Sequence, residues 1–160
     1  MPSEQLFTIW GRGVGGINLT RGVGSGRSNR LGDVMLVQAL LNFIVDGFED
    51  ASKVGLHSSS ELPDVNGHWD VFLDKAIIAF QRKHSNLLRY EHPGQISPVS
   101  DPFDLQDEEL WPPILLLNQF AEDATGMARN REVESGGKDP GFPYPTPLLI
   151  MFPQLRDQLE

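Results

Sequence analysis

The chain has 160 residues, enough to bury one hydrophobic core, and its 39% hydrophobic and 22% charged residues are typical of a globular protein. It has no cysteine, which excludes disulfides, thiolate metal sites and a cysteine nucleophile. The formal charge of −9 argues against a nucleic-acid partner, because an acidic surface repels phosphate backbones.

The N-terminal segment, residues 1–30, is expected to form a strand and a glycine-rich arm. LFTIW at residues 6–10 favours a short strand. Seven of the 16 glycines follow within residues 11–26, a density that disfavours helix and predicts a loop or ribbon. Three of them have the G-x-G-x-x-G spacing, but no helical pattern starts at the third. A dinucleotide cofactor is therefore not expected, nor is any other cofactor.

The first amphipathic helix is expected to begin at Asp33, whose carboxylate would cap the first turn, and to end near Asp46-Gly47. Its apolar residues recur at the i, i+3, i+7 spacing of one buried face. They are Val34, Val37, Leu41 and Ile44.

The second helix is expected to run from Asp70, as its cap, to about His84. Its core face should consist of Leu73, Ala76, Ile77 and Phe80, while Asp74, Lys75, Arg82 and Lys83 face water. Both helices contain a hydrophobic residue followed by glutamine, Val37-Gln38 and Phe80-Gln81. The prolines of residues 85–106 predict a long loop with an extended pair around Gln95-Ile96.

A third helix should open at Pro112-Pro113, since proline is tolerated in a first helical turn, and end near Gly126. Beyond it, five of the 12 prolines frame the apolar run PLLIMF. This composition predicts an extended proline-rich tail over residues 127–160.

Two sequence blocks resemble the peptidoglycan-binding domain family of bacterial cell-wall proteins. Residues 33–42, DVMLVQALLN, match the family's D-V-x-x-[LV]-Q-x-x-L-N helix. Residues 65–69, VNGHW, and 76–81, AIIAFQ, match its turn with glycine and an aromatic residue followed by A-[VI]-x-x-F-Q. The resemblance implies a mainly α fold, with a compact three-helix module at residues 31–126.

The function that this resemblance implies is noncatalytic binding of peptidoglycan or a cell-wall fragment, which targets a partner or fused activity to the wall. Gly67 is expected in a tight turn with positive φ. Aromatic planes suit the apolar faces of sugars, and amides or an arginine suit their polar edges and a stem-peptide carboxylate. The candidate ligand-binding residues are Asn66, His68, Trp69, Gln81, Arg82 and Tyr90. Packing or simple solvation is the alternative for each of them.

No catalytic or metal site is expected. The four histidines show neither i, i+4 pairing on one helix nor an H-E-x-x-H motif, which argues against zinc. The acids Asp107, Glu108 and Glu109 could suggest glycoside hydrolysis, but they are more simply favourable charges ahead of a helix. The sequence thus predicts a binding protein and not an enzyme.

Two other functions stay open. One is a protein-interaction or adaptor module of a bacterial secretion or effector complex, which keeps the scaffold without glycan binding and uses PLLIMF as its anchor. The other is a small wall hydrolase. A signal peptide and an apolar stretch of membrane-spanning length are not evident, so we expect a soluble protein. The sequence does not assign a location, and a periplasmic or extracellular one would require a non-classical or specialised secretion route.

Overall fold

The computed structural model of the chain describes residues 1–9, 12–100, 110–137 and 142–159. The fold is mainly helical, with three helices of seven or more residues and a small N-terminal two-stranded antiparallel hairpin. The elements are β1 (Ser3–Ile9), β2 (Arg12–Asn18), α1 (Leu31–Phe48), α2 (Val71–Lys83), α3 (Pro113–Glu134), α4 (Thr146–Met151) and α5 (Pro153–Arg156). Two short 3-10 helices, Ala51–Val54 and Ser59–Glu61, lie between α1 and α2.

The hairpin confirms the expected N-terminal strand, β1. Part of the glycine-rich segment forms its partner strand, β2. β1 and β2 pair in register from Ser3 opposite Asn18 to Ile9 opposite Arg12. Trp10, the last residue of the expected strand, lies outside the described residues. Because β2 continues through Gly16, no helix begins at the third glycine of the G-x-G-x-x-G spacing.

A buried amide fastens this hairpin to α3. Asn118 accepts a hydrogen bond from the backbone N–H of Ile17 at 2.8 Å, and its Nδ2 donates to the Ile17 carbonyl at 2.9 Å. A Cβ at Gly16 would lie 2.7 Å from Cγ of Asn118, so glycine is what lets the strand approach α3 this closely. The arm is therefore part of the packed fold.

The loop after α2 is also tied to the N-terminal arm. Ile96 pairs antiparallel with Val23, with N–H···O distances of 2.9 Å in both directions, which confirms the extended pair expected there. Asn18 adds a second link, because its Nδ2 donates to the Val99 carbonyl and its Oδ1 accepts from the Val99 N–H.

Helix α1 begins two residues earlier than expected, at Leu31, and Asp33 does not cap it. The buried Asp33 carboxylate instead accepts hydrogen bonds from the backbone N–H groups of Thr20 (2.8 Å) and Arg21 (3.0 Å). Its partners lie in the preceding segment, so helical pattern alone did not reveal them. The carboxylate still lies in the first turn of α1, where negative charge is favourable.

Helix α1 is the central helix of the core. The most extensive helix-to-helix packing is that of α1 with α3, while α4 and α5 cover other parts of α1. No apolar stretch of membrane-spanning length was expected, yet α1, with 18 residues, is long and apolar enough to cross a membrane by length and composition alone. In this fold 78% of the helix is buried, as is usual for the core helix of a compact protein.

Helix α2 follows its prediction closely. The Asp70 carboxylate accepts from the Leu73 N–H at 2.8 Å, and the helix ends at Lys83 with His84 as its C-cap. Leu41 of α1 and Ala76 and Phe80 of α2 are all buried in one core, as expected. The ring of Phe80 also contacts α3. It meets the ring of Phe120 edge-on, with 6.2 Å between the two centroids.

The expectations for α3 and the tail were wrong in two respects. Helix α3 does open at Pro113, but it continues past Gly126 to Glu134 and so crosses the expected module boundary. The tail is not extended, because its PLLIMF run forms α4 and is followed by α5. Pro147 and Pro153 lie in the first turns of these helices, where proline is tolerated, and Leu148 and Leu155 are fully buried.

The turn before α2 depends on a glycine, as expected. Gly67 has φ of 81°, and its N–H donates to Oε1 of Gln38 at 2.7 Å. A Cβ at this position would collide with the side chain of Leu31 and lie 3.0 Å from the Leu31 carbonyl oxygen. Gly26 has a similar φ of 76°, but nothing lies within 4 Å of its hypothetical Cβ.

These two glycines provide a matched test of the turn. Gly26→Ala should lower the free energy of unfolding by about 1–2 kcal/mol, the cost of the left-handed backbone alone. Gly67→Ala should lower it by more, because the collision with Leu31 adds to the same backbone cost. Urea unfolding followed by circular dichroism measures both values. Equal losses would mean that the contact with Leu31 is unimportant.

Candidate functional site

The six candidate residues begin at the turn that precedes α2. Asn66 is exposed, but its Oδ1 accepts hydrogen bonds from Nε2 of Gln38 (3.1 Å) and from the His68 N–H (2.9 Å). The side-chain amide oxygen of Asn66 therefore stabilises the turn. His68 and Trp69 are exposed beside it, with 37% of Trp69 accessible, so both of these side chains are open to solvent.

Gln81 has a structural role that the sequence analysis did not assign to it. Its Oε1 accepts from the Gly94 N–H at 2.8 Å, and its Nε2 donates to the Gln95 carbonyl at 3.0 Å. The amide that was expected to meet a ligand thus binds the loop after α2. Gly94, like Gly67, has positive φ, at 82°.

Gln38 makes the same type of contact in the turn before α2. Its Oε1 accepts from Gly67, and its Nε2 donates to the His68 carbonyl at 3.0 Å. The two glutamines of the repeated sequence pair therefore make equivalent contacts. In each, the side-chain amide of a helix residue holds a turn that contains glycine by hydrogen bonds to its backbone. We call these two contacts the glutamine clamps.

Tyr90 lies at a pocket on one flank of α2. The pocket has a volume of about 280 Å³, and Gln81 contributes to its wall. Tyr90 is 85% exposed, and its hydroxyl has no partner within the part of the chain that the structure describes. The other lining residues are Ser85, Leu88, Arg89, Glu91, Leu110 and Pro113. We refer to this site as the Tyr90 pocket.

Arg82 lies at a different place, on the other flank of α2. A groove of about 570 Å³ runs there between α2 and the segment that contains the two 3-10 helices. We call it the basic groove, and α2 lines it with Phe72, Lys75, Ala79, Arg82 and Lys83. The six candidates are thus divided among the turn, the Tyr90 pocket and the basic groove, and the structure does not bring them together in one site.

Phe72 is the residue of the basic groove that the sequence analysis missed. Lys75, Arg82 and Lys83 are exposed, as expected. Phe72 lies on the same face of α2 and is 55% exposed. The sequence does contain a signal for Phe72, because positions 72, 75, 79 and 83 follow the helical repeat and lie outside the apolar core face. The second wall of the groove is the irregular segment before α2, and hydrophobic periodicity does not predict where an irregular segment lies.

His84 fixes that second wall to α2. The ring is buried and lies 5.0 Å from the Phe80 ring and 4.8 Å from the Phe120 ring, measured between centroids. With Nε2 protonated, His84 donates to the Lys53 carbonyl of the first 3-10 helix at 2.7 Å. Burial lowers the pKa of His84 below its ordinary value of 6.5. The hydrogen bond to the Lys53 carbonyl opposes this shift, and the positive charges of Lys53 and Lys83 add to it.

No family model, curated protein or solved structure matches the chain. The resemblance to peptidoglycan-binding domains therefore stays a prediction from the two sequence blocks. Among the described residues, no group of three or more His, Asp and Glu side chains is placed to hold a metal ion. Asp107, Glu108 and Glu109, on which a hydrolase would depend, lie outside the described residues.

The buried histidine predicts a pH-dependent stability. As the pH falls below about 6.5, the unfolded state takes up a proton at this position before the folded state does, so acid favours unfolding. His84→Phe removes this group, and its free energy of unfolding should fall less steeply between about pH 7 and pH 5 than that of the native chain. Chemical unfolding at a series of pH values measures the slope.

The control is His92→Gln, which removes an exposed histidine and keeps the buried one, and its slope is measured in the same way. His84→Phe also loses the hydrogen bond to Lys53, so its stability at neutral pH should be lower. Only the pH slope tests the titration, and an unchanged slope in His84→Phe would refute it.

Proposed function

We propose that this protein binds peptidoglycan or a cell-wall fragment without cleaving it, and that the Tyr90 pocket receives the glycan. The two sequence blocks that resemble the peptidoglycan-binding family support the class of ligand. Each block contributes a glutamine clamp, so the residues that carry the resemblance also hold the turns on either side of α2.

The exposure of Tyr90 is the observation on which the assignment to the pocket rests. An aromatic side chain that is 85% accessible beside a concavity leaves a large apolar plane open to water. A sugar ring has an apolar face that can cover such a plane, while its hydroxyls need polar partners at the rim. Ser85 and Glu91 line the same pocket and provide a hydroxyl and a carboxylate.

The size of the pocket limits what it can hold. Its volume of about 280 Å³ is close to the lower end of ligand pockets, roughly 300–1,000 Å³. It therefore suits one sugar unit with its substituent better than a long glycan chain. Further units of a bound chain would have to lie on the open surface around Leu110, which is 40% exposed.

Tyr90→Ala is the direct test of this assignment. The protein should be retained by insoluble peptidoglycan at low salt, and the variant should be retained about tenfold more weakly, as expected for the loss of roughly 1.4 kcal/mol of contact. Because Tyr90 is exposed, the thermal unfolding curve should not shift. Sedimentation of the wall with bound protein gives the apparent Kd.

Phe142→Ala is the matched control, because Phe142 is an aromatic residue that is 50% exposed and does not line the pocket. Loss of retention in Trp69→Ala but not in Tyr90→Ala would place the ligand at the turn before α2. No retention of the native protein at low salt would contradict the function itself.

A protein-interaction module is the second candidate, and a specific surface favours it. Phe142, Ile150 and Met151 are each at least 43% exposed and line a groove of about 530 Å³ between α4 and the ends of α1 and α3. Deleting the tail is not a clean test, because Leu148 and Leu155 belong to the core. Ile150→Ser with Met151→Ser should leave the fold intact and abolish capture of a partner.

A further inference from the structure

The basic groove is a second binding surface on α2, separate from the Tyr90 pocket. At about 100° per residue, Gln81 points to one flank of the helix and Lys75, Ala79 and Lys83 point to the other. The core face, with Phe80 at its centre, lies between these flanks. One helix thus presents two surfaces that a mutation can alter independently.

The groove is positively charged on a protein whose formal charge is −9. Lys75, Arg82 and Lys83 are exposed, and none of them forms an ion pair with another residue in the described part of the chain. Glu61 is the acid in the lining, and its carboxylate accepts hydrogen bonds from the backbone N–H groups of His57 and Ser58. Lys83 also interacts electrostatically with the Asp50 carboxylate, without a close ion pair. An acidic ligand would therefore find three cations here that no ion pair occupies.

The groove is also apolar along its length. Phe72 is 55% exposed at one end, and Leu56 and Ala79 form part of the lining. A small inorganic anion would leave this apolar surface in water, whereas a ligand with an apolar side chain would cover it and gain about 25 cal/mol for each Å² removed from water. The surface chemistry therefore requires carboxylates and an apolar group in one ligand.

The length of the charged face indicates how much ligand it can hold. Phe72 and Lys83 are separated by three turns of α2, or roughly 16 Å at 1.5 Å per residue. An extended peptide rises about 3.3 Å per residue, so roughly five residues span this distance. A sugar pocket on the opposite flank does not require such a surface.

We propose that the basic groove binds a short, extended acidic segment of a partner protein. One large apolar side chain of the segment packs on Phe72, and its carboxylates pair with Lys75, Arg82 and Lys83. The proposal does not depend on wall binding, because no residue of the α2 face of the groove lines the Tyr90 pocket.

Fluorescence anisotropy with the full chain tests this proposal. The probe is a short labelled peptide with glutamates on both sides of one phenylalanine. It should bind, and a peptide with glutamine in place of glutamate and one with alanine in place of phenylalanine should each bind more weakly. Arg82→Glu with Lys83→Glu should weaken binding of the probe by at least about tenfold, because charge-assisted contacts become repulsive. Phe72→Ser should weaken it through the apolar contact alone.

The matched control is Arg21→Glu with Arg156→Glu, which makes the same change in net charge at two exposed arginines outside the groove. This control should bind the probe nearly as well as the native chain. Equal losses in both charge-reversed proteins, or equal binding of all three peptides, would overturn the proposal. Thermal unfolding verifies that each variant folds, and Phe72→Ser provides the test if the charge-reversed protein does not.

Wall retention separates this proposal from the first one. Lys75→Glu with Lys83→Glu, which keeps the wall-ligand candidate Arg82, should bind the probe more weakly and should still be retained by insoluble peptidoglycan if the Tyr90 pocket holds the glycan. A soluble wall glycopeptide that displaces the acidic probe from the native chain would assign the groove to the wall ligand and overturn binding of a partner segment.

Discussion

The placement of α2 depends on two glutamine side chains that complete the hydrogen bonding of the glycine turns on either side of it. A primary amide offers an acceptor and two donors on one planar group, so it can serve a turn as a neighbouring strand would. Gln38 is fully buried, and without it the N–H of Gly67 would lie in the interior without a partner. A buried donor in that state costs about 1–3 kcal/mol.

The glutamine clamps determine where α2 lies, and hence where both surfaces lie. Gln38 holds the turn that leads into α2, and Gln81 holds the loop that leaves it. Asp70 then sets the first residue of the helix. Because hydrogen bonds fix the entry, the start and the exit of α2, the Tyr90 pocket and the basic groove lie on defined flanks of one helix.

The sequence was most informative where structure is determined by neighbouring residues. The cap, length and core face of α2 follow from Asp70 and four apolar positions, all within one segment. The start of α1 could not be predicted in the same way, because the partners of Asp33 are backbone groups of an irregular segment. The tail was ambiguous, since a proline suits an extended chain as well as a first helical turn, and only the burial of Leu148 and Leu155 distinguishes them.

The candidate site was predicted only in part for a related reason. The exposed positions of α2 follow from its period, so the cations of the basic groove were assigned to the surface correctly. The wall that makes them a groove comes from residues 51–61, and its position depends on the contact of His84 with Lys53. Gln81 illustrates the converse, because a polar residue at the edge of a helix can serve the backbone as readily as a ligand.

The burial of α1 has a consequence for synthesis of the chain on the ribosome. Pro2 and Gln158 both lie against Gly32, so the first turn of this helix is covered by residues far apart in the sequence, while α3 covers more of its length. At a translation rate of about 5–20 residues per second, roughly 5–20 seconds separate the synthesis of the last residue of α1 from that of Gln158. Until α3, α4 and α5 have been made, the parts of this 18-residue apolar helix that they cover in the folded chain have no partner from them.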